Sequence, residues 1–260
     1  MGKENYMKYY LNYPIDTSIG ISPYCIRLLD WDEYIPVAGK YLTICEDLLR
    51  RRLKLGEEWK LLDYVMLVAL NELNGIEEIE KMFSMAFRQP SKVFVKTKPN
   101  DIDIHSVMIA VGDYEIVDGK LVADHVINRD NYAEIREIMM EQSFLHDPLI
   151  GADERSQKRL DRAIQKKIEK ANREGGNTNI ESMLVLNSSR FQIDLDTYTY
   201  YQLKVQYATL SREHTAMIYN ICRPHGKNIP IVNFSEELEV HDNPFSFEKM
   251  FRQDKGKLGD

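Results

Sequence analysis

Between Leu61 and Leu70 the chain is apolar at every position except Asp63, and no other stretch constrains the fold as tightly. A helix that is apolar on nearly every side has no solvent face, so it must lie at the centre of a helical layer. A membrane span is excluded for this run, because a bilayer requires about 20 consecutive apolar residues. Glu57 and Glu58 place anions before the run and Asn74-Gly75 follows it, which predicts a helix from Trp59 to Leu73.

The neighbouring segments carry patterns that can surround such a helix. From Trp31 onward, Tyr41, Ile44, Leu48 and Leu49 fall on one helical stripe. Arg50, Arg51, Arg52 and Lys54 crowd the end where cations complement the helix dipole, and Gly56 closes the stretch. A further helix is expected from Ile76 to Phe87, with Ile76, Ile79, Phe83 and Phe87 on the inner face and Glu77, Glu78, Glu80 and Lys81 on the outer. Pro90 bars its continuation. Ahead of all this, a tyrosine-rich segment broken by Pro14, Gly20 and Pro23 reads as extended chain and turns.

The hydrophobic period then switches to two, in Val93-Phe94-Val95 and again from Val107 to Val122. Asp118-Gly119 lies between two alternating runs there, the signature of a two-residue hairpin. Helical spacing resumes at Asn131, which is expected to cap a helix carrying Glu134 three residues on and burying Tyr132, Ile135, Ile138 and Met139. Residues 153–174 form a long charged helix with a thin stripe at Leu160, Ile164, Ile168 and Ala171, closed by Gly175-Gly176. Thr178-Asn179-Ile180-Glu181 is a capping box for a short helix, and the last long helix begins near Asp196-Thr197. The expected fold is α+β, predominantly α-helical. Residues 1–90 form an N-terminal extended segment and helical region, 91–128 a small antiparallel β-hairpin or sheet insertion, 129–234 a C-terminal helical region, and 235–260 a flexible tail.

Composition narrows the function classes. With 43% hydrophobic and 29% charged residues the chain has ordinary globular usage, and its net charge of -7 opposes nucleic acid on average. Cys25, Cys45 and Cys222 are widely spaced and odd in number, which argues against a disulfide framework. No apolar signal region opens the chain, so cytoplasmic residence is expected.

Catalytic patterns are sparse. Asp113 with Asp118-Gly119-Lys120 echoes metal-dependent nucleases, where two carboxylates hold Mg²⁺ and a lysine steadies the attacking water. That arrangement needs the acid within a strand, whereas Asp118-Gly119 is the best turn in the chain. Cys222-Arg223-Pro224-His225 supplies half of a zinc-ligand spacing with no second pair nearby. His125, His146 and Asp147 are candidates for convergence in space. Ser188-Ser189 and Ser211 lack the glycine-flanked turn of a hydrolase nucleophile, and no phosphate loop exists. Arg155, Lys158, Arg159, Arg162, Lys166, Lys167, Lys170 and Arg173 interleave with Glu154, Asp161, Glu169 and Glu174, the pattern of a solvated helix face. The expectation is a non-enzymatic protein with no cofactor and no metal.

One feature points to a partner. Tyr200, Leu203, Tyr207, Leu210, His214, Met217 and Ile221 follow spacings of three and four without a break. Such a seam usually packs inside its own domain, yet Tyr198, Tyr201 and Val205 give the helix a second partly apolar face. Tyr200, Leu203, Tyr207, Leu210, Met217 and Ile221 are therefore candidate partner-binding residues.

The order of Tyr132-Ala133-Glu134-Ile135-Arg136-Glu137-Ile138-Met139-Met140-Glu141-Gln142, Pro148-Leu149-Ile150, the charged helix, Asn179-Ile180-Glu181-Ser182-Met183 and Tyr198 to Leu203 resembles tail-assembly chaperones and related morphogenesis proteins of tailed phages of Firmicutes. The Tyr13-Pro14-Ile15 opening is similar in kind. The resemblance implies a chaperone that binds the helical tape-measure protein in the host cytoplasm before the tail tube polymerises. The alternative it implies is a structural subunit of the virion tail, such as a baseplate, connector or tail accessory protein, in which the β insertion and the tyrosine-rich N-terminus would form permanent subunit contacts and the tail after Ser235 would order on assembly. Partners would be tape-measure or other tail proteins, with a homo-oligomer possible and neither nucleic acid nor membrane involved.

Overall fold

The computed structural model describes residues 4–98, 101–117, 120–173 and 180–222. They fall into two compact units. The first comprises the described residues up to Pro148 together with Leu195–Tyr201, and the second comprises Leu149–Asp194 and the described residues from Gln202 onward. The architecture is α+β and mostly helical, with a small antiparallel sheet between helical regions, as expected from the switch in hydrophobic period.

In the first unit the helices are α1 (Glu4–Tyr10), α2 (Trp31–Tyr41), α3 (Glu46–Leu53), α4 (Leu61–Leu70), α5 (Gly75–Phe87) and α6 (Tyr132–Gln142). The apolar run becomes α4 and lies at the centre, packed against α5, α6 and the sheet. Its Leu62, Tyr64, Val65, Met66 and Ala69 are buried with Ile79, Met82, Phe83 and Phe87 of α5 and with Ile135, Ile138 and Met139 of α6. Each buried Val, Leu, Ile, Met or Phe of this cluster contributes roughly 1.5–3 kcal/mol relative to exposure.

Three local expectations are corrected. The tyrosine-rich N-terminus is not wholly extended: Glu4–Tyr10 is helical. Tertiary contacts override its weak propensity, since the Tyr9 hydroxyl donates to Glu141 at 2.7 Å and its ring meets Tyr201 at 5.5 Å. The stretch from Trp31 to Gly56 is two helices, broken between Tyr41 and Glu46. Carbonyls freed at the break find a distant donor, because the buried Arg136 guanidinium donates to Leu42 O at 2.5 Å and to Ile44 O at 3.5 Å. Asn131 precedes α6 without capping it through its side chain. Its amide instead binds Asn128 N–H and Val126 O, and the Glu134 carboxylate accepts from the Ser18 backbone.

The sheet has the order β1-β2-β3, with β1 (Ser91–Lys98), β2 (Asp101–Val117) and β3 (Lys120–Ile127) all antiparallel. β3 follows β2 as the hairpin signal requires, while Asp118-Gly119 themselves lie outside the described residues. β2 pairs with β1 over Asp101–Val111 and with β3 over Ile109–Val117, so only Ile109–Val111 has strands on both sides. This overlap is fully buried, and beyond it the sheet thins to two-stranded ribbons.

Gly112 of β2, at φ +89, lies where the pairing with β3 is interrupted between Val111 and Tyr114. The register shifts by one residue there, the geometry of a glycine bulge. A Cβ at Gly112 would approach Asp124 Oδ2 and Gln89 Oε1 at 3.0 Å each. Gly112→Ala is expected to lower stability by about 1–2 kcal/mol through the left-handed backbone cost alone, read from urea midpoints at unchanged m-value.

The second unit contains α7 (Glu154–Arg173), α8 (Ile180–Ser188) and most of α9 (Tyr200–Cys222). Gly175-Gly176, Thr178-Asn179 of the capping box and the tail after Ser235 lie outside the described residues. Among the described residues no helix is long and apolar enough to cross a membrane.

Candidate interaction surface

Asp63, the single break in the apolar run, organises how the sheet meets the helices. It is fully buried, and its position in the first turn of α4 lets it accept the Lys60 backbone N–H at 2.9 Å. Arg129, in the turn after β3, forks onto it through Nε at 2.8 and 3.0 Å and through Nη2 at 2.6 Å. The third partner is His105, whose Nδ1 lies 3.1 Å from Oδ2 and whose ring sits edge-on to Trp59 at 5.1 Å.

His105 reaches the carboxylate because β2 bulges. Between Phe94 and Lys96 of β1 the register shifts, with Ser106 Oγ bridging the irregularity to Lys96 N–H at 2.9 Å. A bulge of this kind re-aims a side chain. The buried charge thus finds four donors from three places in the chain, which satisfies the requirement that a desolvated ion be paired and hydrogen-bonded. The cluster is a brace that ties α4 to β2 at His105 and to the turn after β3 at Arg129.

Beyond Gly112 the β2–β3 ribbon leaves the core. Tyr114 pairs with Ala123 and Ile116 with Leu121 on one face, where Phe94 meets Tyr114 edge-on at 5.1 Å. Val122 and Val117 occupy the other face with Glu115 and Lys120. Ile116 is 64% and Val122 53% exposed, and Tyr114 and Val117 are exposed as well. Isolated exposed apolar residues are unremarkable in any protein, but here each face of one ribbon carries an exposed apolar pair, Tyr114 with Ile116 and Val117 with Val122, and such clustering marks contact surfaces. β1 ends its pairing at Val111. Among the described residues the backbone of Tyr114–Val117 therefore has a strand on one side only, and an open edge of this kind accepts an added strand.

The α9 seam is divided by the fold. Tyr200 stacks on Trp31 with centroids 3.5 Å apart. Leu203 is fully buried and Leu210 nearly so, while Tyr207 is half-buried. Farther along, His214 and Met217 are exposed, as is Ile218 beside them, and the Ile221 side chain lies outside the described ones. In the second unit, Asn187 of α8 donates to Leu203 O at 3.1 Å, and Arg190 pairs with Glu213 of α9 at 2.6 Å. Burial pushes the Lys204 ammonium down to about 8. The apolar start of the seam thus serves the protein's own packing, and its later turns face outward.

The remaining candidates do not converge. Asp113 sits in the bulge, its N–H on the Asp124 carboxylate at 3.1 Å, while Asp118 is outside the described residues. His125 donates from Nδ1 to Ile19 O at 2.8 Å, whereas Asp147 takes Arg136. Among the described residues no group of three or more His, Cys, Asp or Glu side chains is placed to hold a metal ion. Cys222 has no described side chain, and Pro224 and His225 lie outside. Arg155, Lys158, Arg159, Arg162 and Lys166 are exposed along α7, with Lys158 paired to Glu154 at 2.8 Å. The Asp63 cluster and the open apolar edge of the ribbon escaped sequence reading, although a lone acid in the first turn of an apolar helix was a usable signal for the former. Comparison with protein-family models, with curated proteins and with solved structures finds no match to this chain.

Proposed function

We propose that this chain is a non-enzymatic assembly factor that acts by binding another protein, and that its setting is tail morphogenesis of a tailed phage. The observation that carries the binding reading is the exposed apolar β2–β3 ribbon with its unpaired edge. The setting rests on the sequence resemblance, which makes a tape-measure protein the first partner to test. An extended segment of the partner adds to the Tyr114–Val117 edge, with backbone hydrogen bonds supplying affinity and alternate side chains supplying selectivity. The exposed turns of α9 at Met217 and Ile218 offer a second apolar contact.

A virion-subunit reading draws on the same open edge, since permanent sheet extension between subunits would also cover it. The tyrosines of the N-terminus add less to that reading than their number suggests. Tyr9 is buried in the protein's own core, and Tyr13 is the exposed one among Tyr6, Tyr9, Tyr10, Tyr13 and Tyr24.

Ile116→Asp tests the binding reading. At an exposed position it should change stability by no more than about 0.5 kcal/mol. Affinity for co-expressed tape-measure protein, measured by calorimetry, should fall by about tenfold or more, equivalent to 1.4 kcal/mol. Unchanged affinity would remove the ribbon from the interface.

A further inference from the structure

The first unit also contains an open cleft of about 430 Å³ where α5 ends and β1 begins, lined by Arg27, Lys81, Ser84, Met85, Arg88, Gln89 and Pro90. Three cations and no carboxylate line it. Two of them have acidic neighbours: Arg27 Nε binds Asp30 at 2.7 Å and Lys81 binds Glu33 at 2.7 Å. The Lys81 pair is solvent-exposed on both sides and the Arg27 pair partly so, so both are weak and readily rearranged.

Arg88 differs. Its guanidinium lies over the Tyr24 ring at 4.7 Å and spends one donor on Cys25 O at 3.4 Å. Among the described residues no carboxylate pairs with it, although a guanidinium carries five donors. Desolvation and the nearby Arg27 push its pKa down, with the Asp30 carboxylate partly offsetting them. The backbone is costly too, because Arg88 closes α5 in the left-handed conformation at φ 55, where glycine is the cheap choice. An arginine kept on a strained backbone beside a second arginine is poorly explained by stability.

We propose that this cleft binds a phosphorylated small molecule, with its phosphate seated against Arg88, Arg27 and Lys81 and assisted by the Gln89 amide. A carboxylate has one charge and two oxygens, which a single arginine fork satisfies. Three cations around one cleft match the higher charge and extra oxygens of a phosphate. The volume lies within the range of small-molecule sites and leaves room for the body of the ligand. This inference is independent of the assembly role assigned to the ribbon.

The test is calorimetric titration of the full chain with phenyl phosphate at low ionic strength, beside benzoate as the carboxylate control. Arg88→Gly is the informative variant, since glycine suits φ 55 and should fold at least as well while removing the guanidinium. Saturable one-to-one binding of phenyl phosphate, at least tenfold tighter than benzoate and weakened at least tenfold by Arg88→Gly, is the result expected. Any of three results overturns the proposal: no binding by the wild-type chain at millimolar ligand, equal affinity for benzoate, or undiminished binding by a folded Arg88→Gly. Arg27→Gln provides a second check and should also weaken phenyl phosphate.

Discussion

Replacing Arg129 by alanine will lower the free energy of unfolding by about 3–5 kcal/mol, because the Asp63 carboxylate is left buried without its main counter-charge. Arg129 supplies three contacts to Asp63, all at 3.0 Å or less, whereas His105 supplies one at 3.1 Å. His105→Ala should therefore cost clearly less than Arg129→Ala. Asp63→Ala should be severe as well, since it removes the acceptor shared by Lys60 N–H, Arg129 and His105. Replacing Asp63 and Arg129 together by apolar residues of similar volume should recover much of the loss, as buried ion pairs commonly allow. Chemical denaturation of the four variants measures all of this. If Arg129→Ala unfolds at the wild-type midpoint, the cluster is not the brace of the sheet.

The second large effect divides the α9 seam. Leu203→Ala should cost about 2–5 kcal/mol, the range for a fully buried leucine whose cavity closes only in part. Met217→Ala, at a side chain 53% exposed, should stay within about 0.5 kcal/mol of wild type. The same spacing thus holds residues with opposite tasks. Near-equal losses at the two positions would show that the later turns of α9 are packed as tightly as the first.

Local pattern reached as far as local physics governs. The all-round apolar α4, the stripe of α5 and the alternation around Asp118-Gly119 each appear as the elements their spacing implies. Where distant partners decide, the sequence was silent. Nothing near Leu42 announces that Arg136 will take its carbonyl, and nothing near Glu4 announces that Glu141 will hold the Tyr9 hydroxyl. Asp63 read as a flaw in an apolar run because Arg129 lies 66 residues away. β2 was expected from Val107 but begins at Asp101, since the apolar alternation of Ile102 and Ile104 changes phase before Val107, Ile109 and Val111, where the register with β1 shifts. The ribbon's exposure was equally invisible. Tyr114, Ile116 and Val122 alternate as core residues would, and only the end of β1 pairing at Val111 shows that no core lies beneath them.

The candidate site accordingly shifted in emphasis. Sequence spacing nominated α9, where Tyr200 and Leu203 turn out to be held within the protein's own packing. The fold adds an apolar ribbon with an open edge, a feature that periodicity does not encode. Both surfaces suit a protein that works by contact.

The proposed assembly role is tested most directly by mass spectrometry of purified phage particles beside affinity capture of the tagged full chain from infected cells. Tape-measure protein in the captured material and no chain in finished particles is the expected result. Stoichiometric presence of the chain in particles, with no tape-measure protein captured, would contradict the chaperone reading and make the chain a structural subunit.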